Sequence, residues 1–344
     1  MNMKVFKIFT PAQLLLLGLI IINLLSWCWA FLVFKDSTFL MGMAILAYSF
    51  GLRHAVDADH IVAIDNVTRK LMQQGKKPIA VGTYFSLGHS TIVILASVVI
   101  VVTAMTYSDS LEKFRETGGL IGTIVSTLFL LLFSFLNFTI FISIYKKFRV
   151  IHTKGSFSEQ EAQENINHGV LSRLFGKLFN LINSSKQMYW IGLLFGLGFD
   201  TATEIGVLSI SAITATNGIN IWNIMVFPIL FASAMILVDT LDNYLMTGAY
   251  GWALSKPLKK LYYNMTITGI SVVIAAFIGS VQALGLIRDK MNLSGWLWNG
   301  IATLSDNLTD MGFWIIGIFV ICWLCSVSYY WIRGCDNYPS TDSR

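Results

Sequence analysis

The chain has 344 residues, 55% of them apolar and only 12% charged, and its mean hydropathy of +0.66 excludes a water-soluble globule, whose surface could not carry so much apolar area. Twenty-four Lys and Arg against nineteen Asp and Glu give a formal net charge of +5. The basic residues fall in short clusters between apolar runs, a pattern of membrane topology that excludes a nucleic-acid-binding face. Four cysteines, with Cys28, Cys322 and Cys325 inside apolar runs, are too few for a disulfide framework.

A bilayer core about 30 Å thick takes roughly 20 residues of helix, because unpaired backbone groups cannot face lipid and each residue rises about 1.5 Å. Eight apolar runs meet that length, near 13–34, 39–66, 79–106, 119–145, 188–214, 221–252, 260–286 and 311–333. The predicted fold is therefore all-α, one polytopic membrane transport domain over residues 1–344 with the lipid bilayer as its surroundings. The first run is longer than a signal-peptide core and lacks a small-residue cleavage site after it, so it reads as a retained span. Lys4 and Lys7 precede it; Arg69, Lys70, Lys76 and Lys77 lie between runs two and three; Lys146, Lys147, Arg149, Lys154, Arg173, Lys177 and Lys186 lie between four and five; Lys256, Lys259 and Lys260 follow run six. Every basic cluster falls on one side, which places both termini in the cytoplasm of a multi-pass protein of the cytoplasmic membrane. The cytoplasmic connection 146–187 carries an amphipathic pattern near 170–183, with Leu171, Leu174, Phe175, Leu178 and Ile182 on one face and Arg173 and Lys177 on the other. It reads as a helix lying on the membrane or packed against the bundle. Trp296 and Trp298 mark an interfacial or re-entrant piece within 287–310.

Charged side chains at membrane depth cost at least a few kcal/mol each, so their presence there makes function the default reading. Run two contains Arg53-His54-Ala55-Val56-Asp57-Ala58-Asp59-His60 and continues to Asp65 and Asn66. Run three contributes Ser86, His89 and Ser90; run five Asp200, Thr201, Thr203 and Glu204; run six Asp239, Thr240, Asp242 and Asn243. Three of the five histidines thus sit among carboxylates within the membrane, a donor set suited to borderline divalent first-row ions rather than to the thiolate chemistry of soft metals. Cys322-x-x-Cys325 has no nearby His or carboxylate and reads as structural. On a straight helix His54, Asp57 and His60 share an arc of roughly 120° while Asp59 falls nearly opposite, and His54 and His60 stand about 9 Å apart along the axis. That is a long reach for two imidazoles on one ion with bonds of about 2.1 Å. A break between Gly51 and His60 is predicted, as in the discontinuous helices of transporters; the alternative is a regular helix on which Asp59 makes an outer contact to a histidine. His89 supplies a further nitrogen or orients a carboxylate. The acids of runs five and six are ligands of a second station, partners of Arg53 or proton carriers.

Together RHAVDADHIVAIDN with its H-x4-D-H core at His54, Asp59 and His60, LGHS at 87–90, LGFDTATE at 197–204 and VDTLDN at 238–243 resemble the nickel/cobalt transporter family, the bacterial-type Ni²⁺/Co²⁺ permeases. The resemblance implies high-affinity uptake of Ni²⁺, Co²⁺ or both across the cytoplasmic membrane, the ion being substrate and no cofactor being permanently bound. It also implies that His54, Asp57, Asp59 and His60 match the family's metal-recognition block, with His89 added as a candidate ligand. Arg53, Asp65, Asn66, Ser90, Asp200, Thr203, Glu204, Asp239, Asp242 and Asn243 remain candidates for the pathway or the ligands' outer contacts. Asn243 stands where the family pattern favours glycine.

No G-x-x-x-x-G-K-[ST] loop occurs, so ATP hydrolysis has no visible home in the chain and no obligate ATPase partner is predicted. A dication driven inward gains about 4.6 kcal/mol per 100 mV, from roughly 2.3 kcal/mol per charge. Imidazole binds metal only when deprotonated, so uptake is expected to weaken as external pH falls. The strings FGLRHAVDADH (50–60) and FGLGFDTATEI (195–205) share their first three residues and place a carboxylate nine residues later, at Asp59 and Glu204, a short parallel consistent with an inverted repeat. Rival readings are transport of another divalent metal, a membrane subunit of an ATP-driven importer, and a membrane acyltransferase using His54 and Asp59. The last leaves His60 and the acids of runs five and six unexplained, and the chain is not expected to be an enzyme.

Overall fold

The computed structural model describes residues 10–103, 108–154, 182–197, 202–253 and 257–308, with scattered positions from 311 to 328. All regular elements among them are helical: α1 (Pro11–Phe34), α2 (Thr38–His54), α3 (Ala58–Gln73), α4 (Val81–Thr103), α5 (Ser108–Lys154), α6 (Met188–Phe195), α7 (Ala202–Thr216), α8 (Ile221–Ile224), α9 (Val226–Ala253), α10 (Pro257–Met291) and α11 (Trp296–Asp306). Local chemistry sets the ends. At α1 the Gln13 N–H donates to the Thr10 hydroxyl at 3.3 Å and the Thr10 N–H to Gln13 Oε1 at 2.8 Å, with Pro11 in the first turn. At the far end of α3, Gly75 adopts φ +74°, and the Lys76 and Gly75 N–H groups close back on the carbonyls of Leu71 and Met72.

Pro11–Phe34, Val81–Val102, Thr123–Lys146, Ile221–Gly248 and Thr268–Met291 are each long and apolar enough to cross a bilayer, and α2 with α3, bent by 49° at the break, passes the same test as a pair, as a broken span or a re-entrant loop would. The chain is an integral membrane protein. Outer helices show the expected lipid face: Leu14, Leu24, Leu25 and Leu32 of α1 are exposed. The centre belongs to α3, α4 and α9. Nearly every residue of α3 from Ala58 to Leu71 is buried, polar ones included, and α9 touches α1, α2, α3, α4 and α7.

Close approach depends on glycine. A methyl group at Gly51 would overlap the Phe231 backbone of α9, one at Gly82 the Asp239 carbonyl, and one at Gly192 the Phe85 carbonyl of α4. Where lipid is as apolar as the helix faces, such small-residue contacts are the main source of packing.

Five sequence expectations are revised or bounded. Arg69 and Lys70, read as part of a charged loop, lie on α3 with 2% and 4% exposure, because that helix runs past the apolar stretch to Gln73 and buries its polar end in the bundle. Run five is not continuous: α6 ends at Phe195 and α7 begins at Ala202. Within 287–310, read as holding an interfacial or re-entrant piece, α10 continues to Met291 and α11 has 11 residues with Trp296 87% exposed. The surface helix near 170–183 falls outside the described residues except for Ile182, which is buried against α3, α4 and α5, and most of run eight also lies outside them.

Replacing Gly51 with Ala should lower thermal stability in detergent, overpacking typically costing about 1–3 kcal/mol. Gly42→Ala on the same helix, where nothing lies within 4 Å, should be neutral or stabilising by roughly 0.5–1 kcal/mol. Equal unfolding midpoints for the two variants would remove the close-contact account.

Candidate metal centre

The sequence Arg53-His54-Ala55-Val56-Asp57 breaks its own helix. Asp57 stands four residues after Arg53 and three after His54, the spacings at which helical side chains meet. Its Oδ1 pairs with Arg53 Nη1 at 2.8 Å and its Oδ2 contacts His54 Nδ1 at 2.7 Å. The backbone tightens at the same point, with the Val56 and Asp57 N–H groups donating to the carbonyls of Arg53 and His54 at 3.1 and 2.9 Å. Asp57 itself is extended (φ −65°, ψ 146°), and its carbonyl starts α3 by accepting the Ile61 N–H at 3.2 Å. The Val56 carbonyl abuts Gly312, where a side chain would not fit, and the Arg53 guanidinium lies 5.5 Å from the Phe313 ring.

This break brings His54 and His60 together. Their ring centroids are 4.6 Å apart, and His89 of α4 lies 4.8 Å from His54 and 4.9 Å from His60. All three are buried, at 2%, 0% and 3% exposure, and one ring nitrogen from each lies within 4.8 Å of the others, a group able to hold a metal ion. Phe85, Phe195 and Phe231 stand around the rings or behind them.

Donor atoms converge further at Glu204 of α7. His54 Nε2 and His89 Nε2 are 3.0 Å apart, and Glu204 Oε1 lies 2.7 Å from His89 Nε2 and 3.8 Å from His54 Nε2. A triangle of that size leaves a common point about 2.1 Å from every corner, the length of ordinary bonds from first-row metals to imidazole and carboxylate. The contact of His54 Nδ1 with Asp57, and with Thr203 Oγ1 at 3.3 Å, holds the ring so that Nε2 faces that point. His60 is oriented in the same way: Nδ1 meets Asp239 Oδ2 at 3.1 Å, the Ser86 hydroxyl donates to that oxygen at 2.5 Å, and Nε2 has no protein partner.

A second polar group continues along α3, α4 and α9 away from the histidines. Thr83 and Thr240 share a hydrogen bond at 2.8 Å, the Val81 N–H donates to Asn243 Oδ1 at 3.1 Å, and Asn243 Nδ2 donates to Thr68 at 2.8 Å. Asp65 accepts from the hydroxyls of Tyr250 and Ser271, and Arg69 faces it at 3.9 Å. Asn66 Oδ1 accepts from Asn137 and Arg69 at 2.7 and 2.6 Å.

The structure therefore gathers His54, His60 and His89, with Asp57, Thr203, Glu204 and Asp239 in direct contact with them. Asp59 is half-buried, its Oδ1 accepting the His60 N–H at 2.9 Å, so it fixes the first turn of α3 beside the site. The H-x4-D pair of an acyltransferase is not formed: the carboxylate on His54 is Asp57. The regular-helix alternative is overturned by the break. Arg53 pairs with Asp57. Ser90 is buried with its hydroxyl unpartnered, and Asp200 lies outside the described residues. Reading the sequence alone missed the parts of Arg69, Tyr250, Ser271 and Asn137. Arg69 looked like a loop charge, and isolated hydroxyls and amides in apolar runs carry no spacing signal.

The sequence model described as "High-affinity nickel-transport protein" matches residues 40–329. The chain belongs to that family. Among curated relatives of this nickel-transport family, the "High-affinity nickel transport protein" of Cupriavidus necator is 49% identical over 93% of this chain and 91% of its own length. The "Nickel transporter NixA" of Staphylococcus aureus is 43% identical over 92% of both, and the "Cobalt transport protein NhlF" of Rhodococcus rhodochrous 34% identical over 83% and 81%. These relatives are named as transport proteins. No solved structure matches the chain.

Asp57→Asn should weaken metal binding about 10–100-fold, the usual cost of losing a group that orients a ligand, as measured by equilibrium dialysis against Ni²⁺. Unchanged affinity would show that Asp57 only closes the break.

Proposed function

We propose that the chain imports Ni²⁺, and Co²⁺ as a second substrate, across the cytoplasmic membrane as a single-chain secondary transporter. The carrying observation is the convergence of His54 Nε2, His89 Nε2 and Glu204 Oε1, with His60 Nε2 unpartnered beside them. Nitrogen and carboxylate donors suit Ni²⁺ and Co²⁺. The 3.0 Å edge between the two nitrogens lets both reach one ion on bonds of about 2.1 Å. The names of the relatives point to the same ions.

In this reading the polypeptide has eight spans with both termini in the cytoplasm, and no ATPase partner is required. The hydrated ion loses part of its water to His54, His89 and Glu204, whose carboxylate offsets one of its two charges. Asp57 and Asp239 keep the two imidazoles turned inward, and Ser86 fixes Asp239. The bend at 55–57 supplies a place where backbone can rearrange as access changes sides. The membrane potential drives the dication inward.

The test is ⁶³Ni²⁺ uptake by an uptake-deficient host expressing this chain alone, with Co²⁺, Zn²⁺ and Mn²⁺ as competitors. Uptake should appear without a partner, Co²⁺ should compete better than Zn²⁺ or Mn²⁺, and His54→Ala and His60→Ala should each reduce it at least tenfold at equal membrane abundance. Undiminished transport in both variants would contradict the assignment, and absence of uptake by correctly inserted parent would favour an importer subunit.

A further inference from the structure

Beyond His60 the buried polar atoms do not end. Asp239 is 1% exposed and uses only one oxygen on His60 and Ser86; its Oδ1 has no protein partner. Asp242, three residues on, shares its face of α9, and Asp242 Oδ2 is likewise enclosed and unpartnered. Asn243, next to Asp242, donates to Thr68, next to Arg69, at 2.8 Å, which brings this turn of α9 against α3. Next along lies Arg69, 2% exposed, which faces Asp65 at 3.9 Å and donates to Asn66 at 2.6 Å, while its Nε and Nη1 have no partner. The Tyr250 hydroxyl, eight residues beyond Asp242 on α9, bonds to Asp65, which joins α9 to the Asp65–Arg69 pair of α3.

Two buried carboxylates, Asp65 and Asp239, and the partly buried Asp242 against one guanidinium leave this group short of positive charge, and uncompensated charge at such depth is costly. The two free oxygens are on Asp239 and Asp242, whereas both oxygens of Asp65 are already taken by Tyr250 and Ser271. Of these three acids, Asp239 is the one with a contact to a histidine of the cluster, at His60.

We propose that Asp239 and Asp242 form a second station for the transported dication, reached from His60, and that Arg69, anchored on Asp65 and Asn66, is the fixed positive charge that drives the ion off it. The station is built of oxygen alone. It holds the ion more weakly than the imidazole-rich site, as release demands. Arg69 does the work of a counter-ion that never leaves: a guanidinium keeps its charge throughout, so it offsets the acids when no metal is present and repels the metal when it arrives. This deepens the transport reading and rests on it.

The experiment counts Ni²⁺ bound to purified full-length protein by equilibrium dialysis, beside uptake in cells. The parent should bind a tight first equivalent and a weaker second. Asp242→Asn should lose the second, keep the first and reduce uptake at least tenfold, while Asp242→Glu, which keeps a carboxylate, retains two equivalents. Arg69→Gln should tighten the second equivalent at least tenfold and slow uptake, an effect that a purely structural arginine would not produce. One equivalent in the saturated parent, two in Asp242→Asn, loss of the second from Asp242→Glu as from Asn, or a weaker second equivalent in Arg69→Gln would each overturn the station. His54→Ala distinguishes the two readings: retention of the tight equivalent there would overturn the histidine site, and the Asp242 variants would still decide the second.

Discussion

One carboxylate decides the geometry of this protein. Asp57 reaches back to Arg53 and His54 instead of capping the helix that follows it, and the chain turns by 49° at that point. Without the turn, His54 and His60 would stand about 9 Å apart along one axis; with it their rings are 4.6 Å apart. The same contact turns His54 Nε2 towards His89 and Glu204, so the break and the donor set arise from a single interaction. An ion pair at this depth is expensive unless it serves such a purpose.

The rest of the bundle keeps that turn in place. Gly51 lets α2 close on Phe231 of α9, and Gly196 brings the second interrupted element against His89 of α4. The shared string FGL at 50–52 and 195–197 thus has a structural counterpart: in each case its glycine lets backbone approach a helix that lines the site. The first string precedes the break at 55–57, the second begins where α6 ends, and each is followed by an acid, Asp59 beside His60 and Glu204 on His89. Gly312 covers the exposed carbonyl of the first interruption. Helices in lipid gain little from apolar contact, which explains why glycine and buried hydroxyls dominate these joints.

Much of this was legible in the amino-acid order. Apolar run length announced five of the membrane-spanning helices and the bent α2–α3 pair, the mismatch between His54 and His60 on a straight helix called for a break, and the need of Arg53 for a counter-charge, met at Asp57, was clear. Other features were hidden for physical reasons. Arg69 and Lys70 have the composition of a loop, and only tertiary enclosure of α3 buries them. Glu204 looked like one pathway acid among several, because nothing in its spacing reveals that its Oε1 would meet His89 Nε2 at 2.7 Å. Hydroxyls such as Ser86 and Ser271 gain meaning only from partners 153 and 206 residues away.

The central claim is that imidazoles from α2, α3 and α4 replace water around one divalent ion. X-ray absorption spectroscopy of purified protein carrying one Ni²⁺ tests it directly, since imidazole rings leave a distinctive outer-shell scattering pattern. The account predicts at least two imidazoles together with oxygen ligands at about 2.1 Å. A spectrum of oxygen ligands alone, without that ring signature, would contradict it.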